Sequence, residues 1–186
     1  MSDSTNSTSP ADSAEPALTG ERADIRDALR KHRQFLVHTV RDLDDEQAGR
    51  RTTASELCLG GLIKHVTSVE RGWAEFIVKG PSAMPDFTSL TEEDLARRAD
   101  EFRMLPGDTL DGVLAEYAKV AEHTDELVAT VPDLDTSHLL PKAPWNPPGA
   151  RMTVRRVLLH VIAETAQHAG HADIIRESLD GAKTMA

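Results

Sequence analysis

Apolar residues fall at helical spacing in four long stretches of the chain. Over residues 21 to about 43, Ile25, Leu29, Leu36, Val40 and Leu43 recur every three, four or seven positions, with His32 and Phe35 near the same stripe, which predicts a first helix. A polar run, DDEQAGRRTTASE, connects it to a second stripe of Leu59, Leu62, Ile63, Val66, Val69, Trp73, Phe76 and Ile77, closed by Lys79-Gly80-Pro81 as a stop signal. The third stripe follows Pro106-Gly107-Asp108 and holds Leu110, Val113, Leu114, Tyr117, Val120, Ala121, Thr124, Leu127 and Val128, ending at Val131-Pro132. The fourth runs from Thr153, an expected N-cap, to Leu179, with Asp180-Gly181 as its exit.

The stretches between these helices are uneven. Residues 81 to 107 read as a peripheral insertion in which Thr91-Glu92-Glu93-Asp94 caps a short extra helix reaching about Met104. Residues 132 to 152 hold five of the ten prolines and Trp145, so they are expected to form a loop crossing one end of the fold. Residues 1 to 17 are Ser, Thr, Asp, Ala and Pro with little to bury, and are expected to be a disordered tail ahead of one domain spanning residues 18 to 186. The pattern as a whole predicts an all-α protein, a four-helix bundle with a short extra helix between its second and third helices.

Composition agrees with helices and narrows the partners. Aromatic residues are 4% of the chain against 39% hydrophobic, so the core is aliphatic. The formal charge is −10 with basic residues scattered among acidic ones, which leaves no footprint for nucleic acid or for an anionic membrane. No apolar run approaches the roughly 20 residues of a membrane span, and the N-terminus has neither the basic nor the apolar region of a signal peptide. The single cysteine, Cys58, rules out an intramolecular disulfide and fits a reducing, cytoplasmic setting; at the start of the second helix it reads as a small buried residue rather than a nucleophile.

The misfits on the inner stripes carry the chemistry. Glu164, His168 and His171 fall within the stripe of Val154, Val157, Leu158, Val161, Thr165, Ala172 and Ile175. Glu164 and His168 are one turn apart on one helix face, the spacing by which two ligands reach one cation. His171 is about 10 Å along the axis from Glu164, too far to share an ion with both, so it reads as an accessory or substrate-facing residue and as a candidate catalytic base. His65 on the second helix is the candidate third ligand; two imidazoles and a carboxylate suit zinc or another first-row divalent ion and leave a coordination position open.

Blander readings stand beside these. His65 taken alone reads more readily as a hydrogen-bonded core histidine than as a ligand. Glu164 is equally readable as the partner of Arg155 or Arg156. His160 and Gln167 read as flanking residues, and His32, His38, His123 and His138 have no partner at ligand spacing.

With His65 in LIKHVTSVERGW and Glu164 and His168 in HVIAETAQHAGHADIIRE, residues 20 to 181 resemble the DinB-like superfamily of metal-binding bundles, in the branch with mycothiol-dependent enzymes. In most of that superfamily the fourth helix carries two histidines four apart; here Glu164 stands at the first position and His168 at the second. A His, Glu, His set resembles the zinc triad of mycothiol-dependent maleylpyruvate isomerases, and maps onto His65, Glu164 and His168. Those isomerases carry a further C-terminal domain that is not expected here. The resemblance therefore implies a transferase that activates mycothiol at a zinc ion for attack on an electrophilic small molecule, like the mycothiol S-transferases. A hydrolase using metal-activated water and a non-catalytic metal-binding stress protein remain as alternatives, and the sequence leaves open whether the bundle forms a homodimer.

Overall fold

A computed structural model describes residues 18–184, so the expected N-terminal tail lies outside the described residues. Among the described residues six α-helices, a short 3-10 helix (Gly80–Ala83) after α3, and a small hairpin follow in order: α1 (Gly20–His38), α2 (Asp45–Gly49), α3 (Leu59–Lys79), α4 (Glu92–Asp100), α5 (Leu110–Thr130), β1 (Ser137–Leu139), β2 (Arg151–Thr153) and α6 (Val154–Asp180). The four long helices α1, α3, α5 and α6 form the core of an all-α bundle, in which α1 packs on α6 and α5, and α3 packs on α5 and α6. No helix is long and apolar enough to cross a membrane among the described residues.

Local signals explain most of the boundaries. Thr153 caps α6, its hydroxyl accepting from Arg156 N, and Gly181 ends the helix at φ 80°, a left-handed conformation that suits glycine. Thr109 caps α5 in the same way, and Thr91 with Asp94 forms a capping box at the start of α4. Four features differ from the sequence reading. The first helix ends at His38 rather than near residue 43, because the chain turns there and Arg176 of α6 donates to Thr39 O and Arg41 O at 2.9 and 2.7 Å; Val40 is still buried from outside the helix. The polar connection contains α2, started by a capping box of Asp44 and Gln47. The short helix α4 stops at Asp100. The Pro-rich segment contains a two-stranded antiparallel hairpin that sets His138 opposite Met152.

The core divides into two apolar halves. One gathers Leu36, Leu59, Leu62, Ile63, Val66, Leu110, Val113, Tyr117, Ala169, Ala172 and Ile175. The other gathers Ile25, Leu29, Phe76, Ile77, Val128, Val154, Val157, Leu158 and Val161. Each long helix contributes to both halves, and between them each places a polar residue: Arg33 on α1, Glu70 on α3, Thr124 on α5 and Thr165 on α6, all buried. Thr124 and Thr165 satisfy their hydroxyls on the carbonyls one turn earlier, Val120 O and Val161 O. Glu70 is 0% exposed and meets Arg33 through both carboxylate oxygens, and Arg33 also donates to Asp125 Oδ1 at 2.7 Å. A bidentate guanidinium–carboxylate pair of this kind satisfies a charge that the interior would otherwise exclude. Burial works against the Arg33 charge, but Glu70 and Asp125 outweigh it and raise its pKa.

Candidate metal centre

The second polar cluster lies beside this layer, on the flank of the bundle where α3 faces α6. Here His65 of α3 and Glu164 and His168 of α6 each offer a donor atom, all within 4.8 Å of one another. His168 Nε2 is 3.7 Å from Glu164 Oε2, and the rings of His65 and His168 meet edge to face with centroids 4.9 Å apart. Among the described residues Glu164 forms no pair with Arg155 or Arg156; Arg155 is held instead by Glu21 and Asp135. Glu164 lies within 3.5 Å of His160 Nε2, so the flanking histidine is the other neighbour of this carboxylate.

Donors bound to a four-coordinate ion at about 2.0–2.1 Å sit about 3.4 Å apart, so side-chain movements of about 1 Å close this cluster around a divalent cation. The chemistry of the donor set fits as well. Burial, with the nearby imidazoles of His65 and His171, holds the His168 pKa below its ordinary value, and a neutral imidazole is the ligating form.

His65 is more than a flank residue: it is 8% exposed and clamped on two sides. Phe102 stacks on its ring at a centroid distance of 4.0 Å and an interplanar angle of 25°. Its Nδ1 is 3.3 Å from Glu101 Oε2, while Ser68 Oγ donates to Glu101 Oε1 at 2.8 Å. Burial raises the Glu101 pKa, but the contacts with His65 and Ser68 outweigh it and hold the carboxyl below its usual range. Glu101 and Phe102 come from the segment after α4, part of the insertion over residues 81 to 107 that the sequence predicts to be peripheral and that the structure packs against His65. That segment reaches α3 through Gly61, where a Cβ would stand 2.0 Å from Phe102 O, so only a glycine admits this backbone. The Gly60-Gly61 pair at the start of an otherwise apolar helix is the signal that a second chain segment approaches closely there.

His171 lies behind His168, its Nδ1 3.4 Å from His168 Nδ1. It touches the cluster without lining the cavity beside it. Cys58 is buried, with Sγ 3.7 Å from Phe102 O. His138, which has no partner at ligand spacing, takes a structural role, its Nε2 3.1 Å from Ile77 O and its ring edge packed on Phe76.

The cavity has a volume of about 850 Å³ and counts His65 and Glu164 among its lining residues. Its walls are Trp73 of α3, Met84 and Phe87 of the segment before α4, Pro141 and Trp145 of the Pro-rich loop, and Met152 of β2. The two covering segments are tied together where Phe87 N donates to Lys142 O at 2.9 Å. Space of this size, with aromatic and aliphatic walls interspersed with charged side chains such as Arg97, Arg156 and Glu101, is large enough for a small organic molecule.

An all-α bundle with a His, Glu, His cluster beside such a cavity has the architecture of a DinB-like protein. Residues 24–181 match the family model described as Mycothiol-S-transferase, and the chain belongs to that family. No curated protein is similar enough to the chain to count as a match.

Proposed function

We propose that the protein transfers a low-molecular-weight thiol, mycothiol by its family, to an electrophilic small molecule, using a divalent metal ion held by His65, Glu164 and His168. The observation that carries this reading is the gathering of three metal-competent donors beside a cavity large enough for substrate, in a chain of this family. A bound zinc ion lowers the pKa of a thiol that reaches it, so that thiolate is available near neutral pH.

The chain's own residues do the rest. Glu101 on His65 Nδ1 leaves Nε2 as the nitrogen for an ion, and Phe102 holds the ring plane. His171 on His168 Nδ1 does the same for the second imidazole and is the neighbour through which a proton is passed or retained, a positioning role. Trp73, Phe87 and Trp145 offer aromatic faces on which an electrophile can stack. In the transfer, the thiolate sulfur forms a bond to the electrophilic carbon, a leaving group such as chloride departs with its electron pair, and the thiol proton goes to solvent or base.

The test is metal-loaded protein with mycothiol and 1-chloro-2,4-dinitrobenzene. Loss of the chloroarene that requires both metal and thiol is the expected result. Turnover of esters that needs metal but ignores thiol would overturn thiol transfer in favour of hydrolysis.

A further inference from the structure

Each donor of the cluster has one further group beside it. His65 presents Nδ1 to Glu101 Oε2 at 3.3 Å, and His168 presents Nδ1 to His171 Nδ1 at 3.4 Å, so each imidazole keeps Nε2 for an ion. The two oxygens of Glu164 are divided in the same way. Oε2 is 3.7 Å from Nε2 of the fellow donor His168, whereas Oε1 is 3.5 Å from Nε2 of His160. No arginine or lysine pairs with this carboxylate among the described residues, so His160 is the polar side chain left to hold Oε1.

His160 is placed to support the centre rather than to join it. On α6 it lies one turn before Glu164 and two turns before His168, about 6 and 12 Å along the helix axis, too far to share an ion with His168. It stands outside the three-donor group accordingly. Packing fixes its ring: the Trp73 indole meets it edge to face with centroids 5.0 Å apart, and Trp73 is itself packed on the buried Phe76 ring at 5.3 Å. A ligating carboxylate is steadied by a hydrogen bond to it from outside the coordination sphere. A neutral imidazole supplies one from Nε2–H, and the present separation closes to hydrogen-bond length with a movement of about half an ångström.

We infer that His160 is a positioning residue for the metal centre: its Nε2–H holds Glu164 Oε1, and thereby turns Oε2 towards the ion. Each donor then has one supporting group, Glu101 for His65, His171 for His168 and His160 for Glu164. The inference rests on the metal reading above and adds to it a residue that is not itself a donor to the ion.

The test compares the wild type with His160→Leu and His160→Gln. Leucine keeps an apolar contact for Trp73 but has no donor, whereas glutamine carries an amide N–H close to where Nε2 stands and has no imidazole to bind metal. By calorimetric titration His160→Leu binds zinc roughly 10–100-fold more weakly than the wild type, and His160→Gln regains most of that loss. The visible bands of bound cobalt(II), which report coordination geometry, change in His160→Leu as the freed carboxylate reorients, and return to the wild-type form in His160→Gln. Melting temperatures of the three metal-free proteins stay together, because His160 keeps 36% of its side chain exposed and belongs to neither half of the core.

Equal zinc affinity in the wild type and His160→Leu overturns the assignment and leaves His160 an ordinary neighbour on the helix surface. A glutamine variant as weak as the leucine variant overturns it too, since His160 would then act through its ring, as a ligand. A loss of zinc affinity matched by an equal loss of metal-free stability assigns the residue to the fold instead. A wild type that binds no zinc removes the metal reading and this assignment together, whereas a zinc-binding wild type with an insensitive His160→Leu removes this assignment alone.

Discussion

Within six residues of one helix, α3 supplies both polar clusters of the bundle, His65 to one and Glu70 to the other, and the two have opposite characters. Glu70 is sealed between the apolar halves of the core and its charge is fully met by Arg33, which Asp125 supports in turn. Around His65 the donors face one another, no arginine or lysine pairs with Glu164 among the described residues, and Glu164 keeps 28% of its side chain exposed in the lining of a cavity. A buried carboxylate that has found its arginine is architecture. A half-open carboxylate gathered with two imidazoles leaves coordinating capacity for something from outside. The contrast predicts that the sealed cluster governs stability and the open one governs metal affinity, with little exchange between them.

The largest effect is expected at the sealed cluster. Glu70→Gln leaves Arg33 short of a buried partner and costs about 3–5 kcal/mol, seen as a fall of roughly 10 °C or more in the melting temperature of the metal-free protein. Unchanged stability would dissolve the contrast. Gly61→Ala comes next and touches both sides: displacing the backbone at Phe102 costs about 1–3 kcal/mol, and it also weakens metal binding, because Glu101 and Phe102 lose their seat on His65. A stability loss with unaltered metal affinity would uncouple that segment from the centre.

Glu101→Gln is expected to weaken metal binding roughly 10–100-fold by calorimetric titration, as loss of a carboxylate behind a ligating histidine does, with a small change in stability. The smallest effect is the pH response of the metal-free protein. The folded His168 pKa lies below its unfolded value of about 6.5, so the unfolded chain binds the proton first as pH falls. His168 therefore contributes full stability above that value and loses it as pH drops through the lowered folded pKa. In His168→Ala, urea midpoints measured across this window should decline less steeply.

The sequence carried the four long helices because each buries a continuous stripe, and it carried His65, Glu164 and His168 because polar residues interrupt those stripes. It carried the capping threonines Thr91 and Thr153 for local reasons. What it hid depends on register between distant segments. Glu101 is far from His65 in the chain, in a helix end with no apolar period, and only the close approach at Gly61 brings it in. The pairing of Arg33 with Glu70 likewise needs the alignment of α1 against α3, which no single stripe encodes. The hairpin strands are too short, at three residues each, to show an alternating pattern. The capping box of Asp44 and Gln47 that starts α2 is a local cue in a run with no apolar stripe.

The most direct test of the account is zinc titration, by calorimetry, of metal-free wild type beside Glu164→Gln and Glu70→Gln at a temperature where all three are folded. The account predicts one ion per chain in the wild type and in Glu70→Gln, and no comparable binding in Glu164→Gln. Equal zinc affinity in wild type and Glu164→Gln, or no binding in the wild type, would contradict it.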